Sequence, residues 1–296
     1  MNIETASHPM PATVVMLKPT ASLAPTRRAK LRLHVYAWNL LLGIFYAFIL
    51  SPLFFVVWLS FFKDAIVSFP PTGYTTAWYV NVWHNPAFAD GFILSVKIAC
   101  ATSLFSVIFG TLAAIGIKRS QFRGSEAIKL LLLSPLVLPG IVAGIAVYLL
   151  YQRIAQTLDL DIAGSFAGLL VAHISLTIPW TVRLVSASID GLDQSIEDAA
   201  RNLGANAFQV FRLVTLPMLR PAIVASVLFS FIVSFENLEV SLLLVGPGNT
   251  TLPIAIMQYL EFNLDPTIAA VSSVQILLLG IVMIVTDRFV QLSKVV

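Results

Sequence analysis

Charge is what this chain has least of: 11% of its 296 residues are Asp, Glu, Lys or Arg, where a water-soluble chain carries roughly 25%. So few ionic groups cannot cover a surface facing water, which excludes an ordinary soluble domain. Cysteine occurs once, at Cys100, so an intramolecular disulfide and a Cys-x-x-Cys site are both excluded; the residue lies in an apolar run and reads as packing. The dipeptide Gly-Lys is absent, and with it the phosphate-cradling loop that ends in Gly-Lys-Ser/Thr. His-Glu-x-x-His and Gly-x-Ser-x-Gly are also missing, and the four histidines, His8, His34, His84 and His173, lie far apart. No catalytic constellation is visible. The net charge of +3 is spread too thinly to form a stripe that tracks nucleic-acid phosphates.

What is abundant is apolar: 58% of the residues are hydrophobic and the mean hydropathy is +0.88. A helix needs roughly 20 mostly apolar residues to cross the hydrocarbon core, and only helices and closed barrels satisfy their backbone there. Six such stretches run from Tyr36 to Phe62, Phe92 to Ile117, Ala127 to Tyr151, Ser165 to Ala187, Leu219 to Val245 and Ile268 to Val290. The sequence therefore predicts an all-α integral membrane bundle of six spans over residues 36–296. Residues 1–35, rich in Pro, Ser, Thr and basic residues without an apolar stretch, read as a disordered tail.

Basic residues set the orientation, because short cytoplasmic segments hold the excess of Lys and Arg. Fourteen of the 18 fall in the tail, the even-numbered connections and the C-terminus, among them Lys18, Arg27, Lys118, Arg119, Arg201, Arg212, Arg288 and Lys294. Only Lys63 and Arg153 fall in the odd-numbered connections, and Lys97 and Arg183 lie inside spans. Both termini are predicted to be cytoplasmic. The first outward connection holds Tyr74, Trp78, Tyr79 and Trp83, a mixture suited to the headgroup layer.

The inward connection from Asp193 to Pro217 reads DQSIEDAARNLGANAFQVFRLVTLP. Ser195 and Asp198 have the spacing of a capping box, and Ile196, Ala199, Ala200 and Leu203 fall on one apolar face. Gly204 stops that helix. Asn206 caps a second one carrying Phe208, Phe211 and Val214, which is predicted to end before Pro217.

The spacing D-A-A-x3-G-x9-V-x-L-P, from Asp198 to Pro217, resembles the EAA motif, E-A-A-x3-G-x9-I-x-L-P, of the permease subunits of binding-protein-dependent ABC importers. Asp198 stands for the glutamate, with Glu197 beside it, and Val214 for the isoleucine. The stretches FPPTGYTTAWY, LLLLSPLVLPGIVAGIA, AHISLTIPWTVRLVSASIDGLD and SFENLEVSLLLVGPGNTTLPIAI are similar to the spermidine/putrescine branch of that family. The resemblance implies an inner-membrane permease subunit with alternating access, paired with a second, different permease chain and fed by a periplasmic binding protein. Two copies of a cytoplasmic ATPase would carry the ATP and Mg, with no cofactor on this chain. The motif would form the coupling-helix hairpin that docks into the ATPase, through Glu197, Asp198, Ala199, Ala200, Leu203, Gly204, Phe208, Phe211, Val214, Leu216 and Pro217. The implied solute is a polyamine or another small organic cation. That branch has an acidic pair where this chain has Glu236 and Asn237.

Four polar residues inside spans are candidates for the solute path: Glu236, Asn237, Glu239 and His173. The two glutamates, at i and i+3, are predicted to share a helix face. An intramembrane carboxylate marks a functional site by default, so either they attract a cation along the path or they pair with Lys97, Arg183 or a backbone donor. His173 reads first as a hydrogen-bonded link between helices. Gly140 with Gly144, and Gly164 with Gly168, have the small-xxx-small spacing of close helix contacts, while Pro135, Pro139 and Pro179 mark breaks or hinges. The alternative reading, an ion-coupled secondary transporter or channel using Glu236, Glu239 and His173, leaves the hairpin without a purpose and predicts internal inverted repeats that the sequence does not display. An intramembrane hydrolase ranks behind both.

Overall fold

The computed structural model describes residues 25–66, 68–119 and 123–290. They form two compact units, divided after Pro52. Helix α1 (Pro25–Leu59) starts in the first unit and ends in the second. It begins well before Tyr36, so residues 25–35 of the expected tail are helical; residues 1–24, with Lys18, lie outside the described residues, as does Lys294. Phe45, Phe48 and Ile49 on α1 are exposed, as suits a helix in lipid.

The second unit continues with α2 (Ala77–His84), α3 (Pro86–Arg119), α4 (Ser125–Leu133), α5 (Gly140–Leu158), α6 (Phe166–Asp190), α7 (Gln194–Asn202), α8 (Ala207–Val210), α9 (Leu216–Met218), α10 (Arg220–Phe235), α11 (Glu239–Leu244), α12 (Leu252–Leu260) and α13 (Thr267–Val290). Among the described residues there is no strand, only a lone bridge between Phe62 and Tyr74. Among the described residues five helices, α1, α3, α5, α6 and α13, are long and apolar enough to cross a membrane, and there are six if the bent pair Ala207–Met218 and Arg220–Phe235 counts as one span. The expected all-α membrane bundle is what the chain forms.

Two spans differ from expectation. The third was predicted as one run from Ala127 to Tyr151, but the chain leaves α4 through a 3-10 turn at Ser134–Leu136, and the membrane helix α5 starts only at Gly140. Pro139 explains this: it lacks an N–H and pushes the residue before it out of the helical region. Arg153 then lies within α5 and not in a connection. The fifth, predicted from Leu219 to Val245, is broken after Phe235 and resumes at Glu239. Pro179, by contrast, sits inside α6 without ending it, and Cys100 is exposed on α3 and not packed.

The core is built where α3, α6 and α10 meet, and small polar side chains line it. Ser226, Ser230 and Ser234 recur at four-residue steps along α10 and His173, Thr177 and Thr181 along α6, all buried. Four residues is close to one helical turn, so each set forms a stripe on one face. Outside, lipid is as apolar as leucine, so helices gain little from greasy contacts and associate through close backbone approach and interhelical hydrogen bonds. Ser106 on α3 bonds Thr177 on α6 at 2.5 Å, and Thr181 on α6 meets Ser230 on α10 at 3.4 Å. Gly110 brings α3 against α6 so closely that an added Cβ would lie 2.6 Å from Thr181 Cβ.

Gly110→Ala is therefore expected to destabilise the bundle by about 1–3 kcal/mol through overpacking. Gly280→Ala, on α13 where an added Cβ would meet nothing within 4 Å, should be neutral or slightly stabilising by helix propensity. Thermal unfolding of the two variants in one detergent checks the pair; equal midpoints would refute the close α3–α6 packing.

Candidate functional site

The segment from Asp193 to Met218 leaves the bundle as a helical hairpin. Helix α7 starts at Gln194, one residue before the expected cap, so Ser195 is already helical and Asp193 is the N-cap. Its carboxylate accepts a hydrogen bond from the Ser195 N–H at 2.9 Å, which holds its pKa below the ordinary carboxylate value. Aspartate is among the strongest N-caps, and its position two residues before Ser195 displaces the predicted Ser195–Asp198 box. Gly204 then turns the chain with φ +91°, a left-handed conformation that glycine alone adopts without strain. Helix α8 opens with a reciprocal capping box between Asn206 and Gln209, at 2.8 and 2.9 Å.

The second arm was predicted to end before Pro217. Instead α8 passes through a π-helical turn at Phe211–Thr215 into α9, and the chain bends by 64° at Leu219 to enter α10. The wider turn lets the Leu216 N–H reach the Phe211 carbonyl. Pro217 then falls in the first turn of α9, where its missing N–H is not needed.

The hairpin turns two different faces outward and inward. Ile196, Leu203, Phe208 and Leu213 are exposed, Leu203 to 89% and Phe208 to 67%. Asp198, Ala199, Gly204 and Pro217 are exposed beside them, whereas Ala200, Val214 and Leu216 are half-buried. Phe211 packs against Ala114, Val185 and Leu219 at the bundle's end. Glu197 does not join the exposed face: its side chain is 13% exposed and faces Arg119, Arg201 and Thr215. Asp198 pairs with Arg201 at 2.6 Å on the outside. Arg119 and Thr215 carry no motif that would single them out in sequence.

The second candidate region is the break in the fifth span. Glu236 is the C-cap of α10 and Glu239 the first residue of α11, so the two glutamates do not share a continuous helix face as predicted. Asn237 makes the break: its Oδ1 accepts from the N–H groups of Val240 at 3.1 Å and Ser241 at 3.3 Å, closing the start of α11. Asparagine competes for backbone N–H groups in this way wherever it can.

The two carboxylates have unlike surroundings. Glu239 lies over Gly140, the first residue of α5, where a side chain at Gly140 would run into it. A carboxylate beside the start of a helix is favoured by the unpaired N–H groups and the positive end of the dipole. Gly144, one turn further, receives Val240 and Leu243 of α11, so the Gly140–Gly144 pair makes the close contact its spacing predicts. Glu236 sits at the opposite kind of end, beside the terminal carbonyls of α10, where the dipole is negative. Among the described residues neither glutamate forms an ion pair, and Lys97 and Arg183 are exposed and unpaired with them.

His173 spans the same break from α6. One ring nitrogen, Nδ1, meets Ser234 Oγ on α10 at 2.8 Å; the other, Nε2, meets Ser241 Oγ on α11 at 3.1 Å. The histidine is buried to 1% exposure. It is the interhelical link the sequence favours, and it ties both halves of the broken span to one neighbour. Ser234 and Ser241 were not foreseen, although the four-residue serine repeat along α10 was readable.

The chain is similar to known transport proteins. The pattern of the family described as binding-protein-dependent transport system inner membrane component matches residues 106–293. The putrescine transport system permease protein PotI of Escherichia coli strain K12 is 32% identical over 244 residues, covering 82% of this chain and 86% of that protein. The spermidine/putrescine transport system permease protein PotC of the same strain is 26% identical over 249 residues, 84% of this chain and 91% of that one. Among solved structures, a bacterial ABC transporter involved in the import of the acidic polysaccharide alginate has a chain of the same fold. Its TM-score is 0.67 at 19% identity, covering 91% of this chain and 99% of that chain.

Replacing His173 by leucine should leave both serine hydroxyls without their partner and lower stability by about 1–2 kcal/mol. Adding Ser234→Ala and Ser241→Ala to that variant should recover part of the loss, because an unpaired buried hydroxyl costs more than an absent one. Thermal unfolding in detergent reads both; additive losses would mean the three groups do not act as a unit.

Proposed function

The chain belongs to the family of binding-protein-dependent transport system inner membrane components, and on that premise we propose that its Asp193–Met218 hairpin is the docking element for a cytoplasmic ATPase. As the permease subunit of an ABC importer it is not an enzyme, and ATP hydrolysis belongs to a separate chain. The observation that carries the docking reading is the exposed apolar row Ile196, Leu203 and Phe208 on the hairpin. Exposed apolar side chains gathered on a short capped element mark a protein contact. Gly204 supports it, since its Cβ position is open and permits close approach. The partner ATPase carries ATP and Mg, this chain needs no cofactor, both its termini are cytoplasmic, and a second, different permease chain completes the path.

The solute in this reading is a polyamine or a similar small organic cation, in keeping with the names of the relatives. Glu236 supports a cation over an anion: an uncompensated carboxylate adds to the negative end of α10, and both favour an ammonium group. Glu239, already met by the start of α5, is the weaker candidate for direct contact. Discontinuous helices of this kind form binding sites in other transporters. Alternating access then requires only that ATP and loaded binding protein favour different arrangements of the bundle. Family membership sets the ion-coupled and hydrolase alternatives aside.

Two measurements test this. Tagged chain purified from its native membrane should retain an ATPase, and Leu203→Asp should weaken that association roughly tenfold or more, since burying a leucine contributes about 1.5–3 kcal/mol; undiminished recovery would refute the docking face. In vesicles containing the complete complex, Glu236→Gln should lower ATP-driven putrescine uptake at sub-saturating solute roughly tenfold or more. Uncharged butane-1,4-diol should not compete. Wild-type uptake by Glu236→Gln would remove that residue from the path.

A further inference from the structure

We propose that Glu197 is a positioning residue, a strut that carries motion of α7 into the bundle, and not part of the surface that meets the ATPase; this rests on the docking reading above. Its carboxylate is bonded on both oxygens. Oε1 accepts from Arg119 Nη2 and from Thr215 Oγ1, both at 2.5 Å, and Oε2 accepts from Arg201 Nη2 at 3.3 Å. Arg119 also donates to Thr215 Oγ1 at 2.9 Å, closing a triangle.

The three corners belong to three different elements, tied here by their polar side chains. Glu197 is in the first turn of α7, Arg119 is the last residue of α3, and Thr215 ends the π-helical turn that leads into α9 and α10. Helix α7 is bounded by turns on both sides, Gly191–Asp193 before it and Leu203–Asn206 after it. Without a side-chain tie, a push on its exposed face would be absorbed by rotation about those turns. The tie delivers the push to α3 directly and, through Thr215 and the bend at Leu219, to α10. With α6 those two helices enclose the polar core, and Glu236 caps the end of α10.

The strut is protected enough to be stiff. Thr215 is buried to 2% exposure and Glu197 largely withdrawn from water, so its pairing is weakened less by solvent than an exposed ion pair. Beside it lies a cavity of about 330 Å³ lined by Lys118, Arg119, Glu197, Arg201, Thr215 and Met218. Lys118, paired with Asp190 at 2.5 Å, braces the α3–α6 end alongside it.

The test compares Glu197→Gln, Arg119→Glu, the swap of Arg119→Glu with Glu197→Arg, and Leu203→Asp, each in the complete complex reconstituted in vesicles with putrescine as the probe. The strut predicts that Glu197→Gln keeps the ATPase bound and hydrolysing while putrescine transported per ATP falls roughly fivefold or more, the size of an ordinary coupling between sites. Arg119→Glu should fall further, and the swap should recover part of the ratio. An unchanged ratio in Glu197→Gln overturns the strut, as does loss of the ATPase from that variant, which would return Glu197 to the docking face. Retention of the ATPase by Leu203→Asp would instead overturn the docking reading, whatever Glu197→Gln does. If Glu197→Gln does not accumulate in the membrane, Thr215→Val, which removes one hydroxyl, decides by the same ratio: a wild-type value overturns the proposal.

Discussion

A bundle in lipid cannot be held together by the preference of apolar side chains for one another, because the solvent offers them the same surroundings. What remains is close approach and hydrogen bonding, and the protein concentrates both where α3, α6 and α10 meet. Gly110 allows the approach. Ser230 and Ser234 on α10 and His173, Thr177 and Thr181 on α6 supply the bonds between helices, while Ser226 bonds the Ala222 carbonyl of its own helix. A buried hydroxyl left without an acceptor is costly, so the bonds that run between these helices hold them in rotation as well as in distance. The exposed leucines and phenylalanines outside are interchangeable by comparison, since lipid accommodates any of them.

Against that fixed core the two broken spans acquire meaning. Pro139 ends one run and frees the start of α5; Asn237 ends another and frees the end of α10 and the start of α11. Within lipid such free backbone groups are tolerated only where protein or a watered path meets them. Here the start of α5 is met by Glu239, and His173 bridges Ser234 and Ser241 across the other break. The end of α10 has Glu236 beside it, which adds negative charge where the dipole is already negative. Of the described helix ends at these two breaks, it is the one where a carboxylate meets the negative end of a dipole and a cation is favoured.

Much of this was legible in the sequence, and the illegible parts share a cause. Span number, the all-α class and the hairpin with its glycine turn rest on local signals, namely hydropathy over about 20 residues, capping chemistry and the conformational freedom of Gly204. The late start of α5, the separation of Glu236 from Glu239 and the cap at Asp193 each turned on which of two local signals prevails. Pro139 prevailed over an apolar run, and Asn237 over helical periodicity. The roles of Arg119 and Thr215 were out of reach for a different reason: residues 119, 197 and 215 are brought together only by the packing of three elements, and no spacing encodes that.

Glu197 and Asp198 show what the adjacency hides. Two neighbouring acids in one helical turn look interchangeable as letters, yet successive residues on a helix point about 100° apart. Asp198 therefore faces water with Arg201, while Glu197 faces the bundle. A charge on the outer side is screened, and its loss is made good by solvent. A charge on the inner side is held by an arginine and a hydroxyl that have no other carboxylate within reach among the described hydrogen bonds. The same rotation that exposes Leu203 for docking thus turns Glu197 inward, so one short helix presents a face for receiving force and another for passing it on.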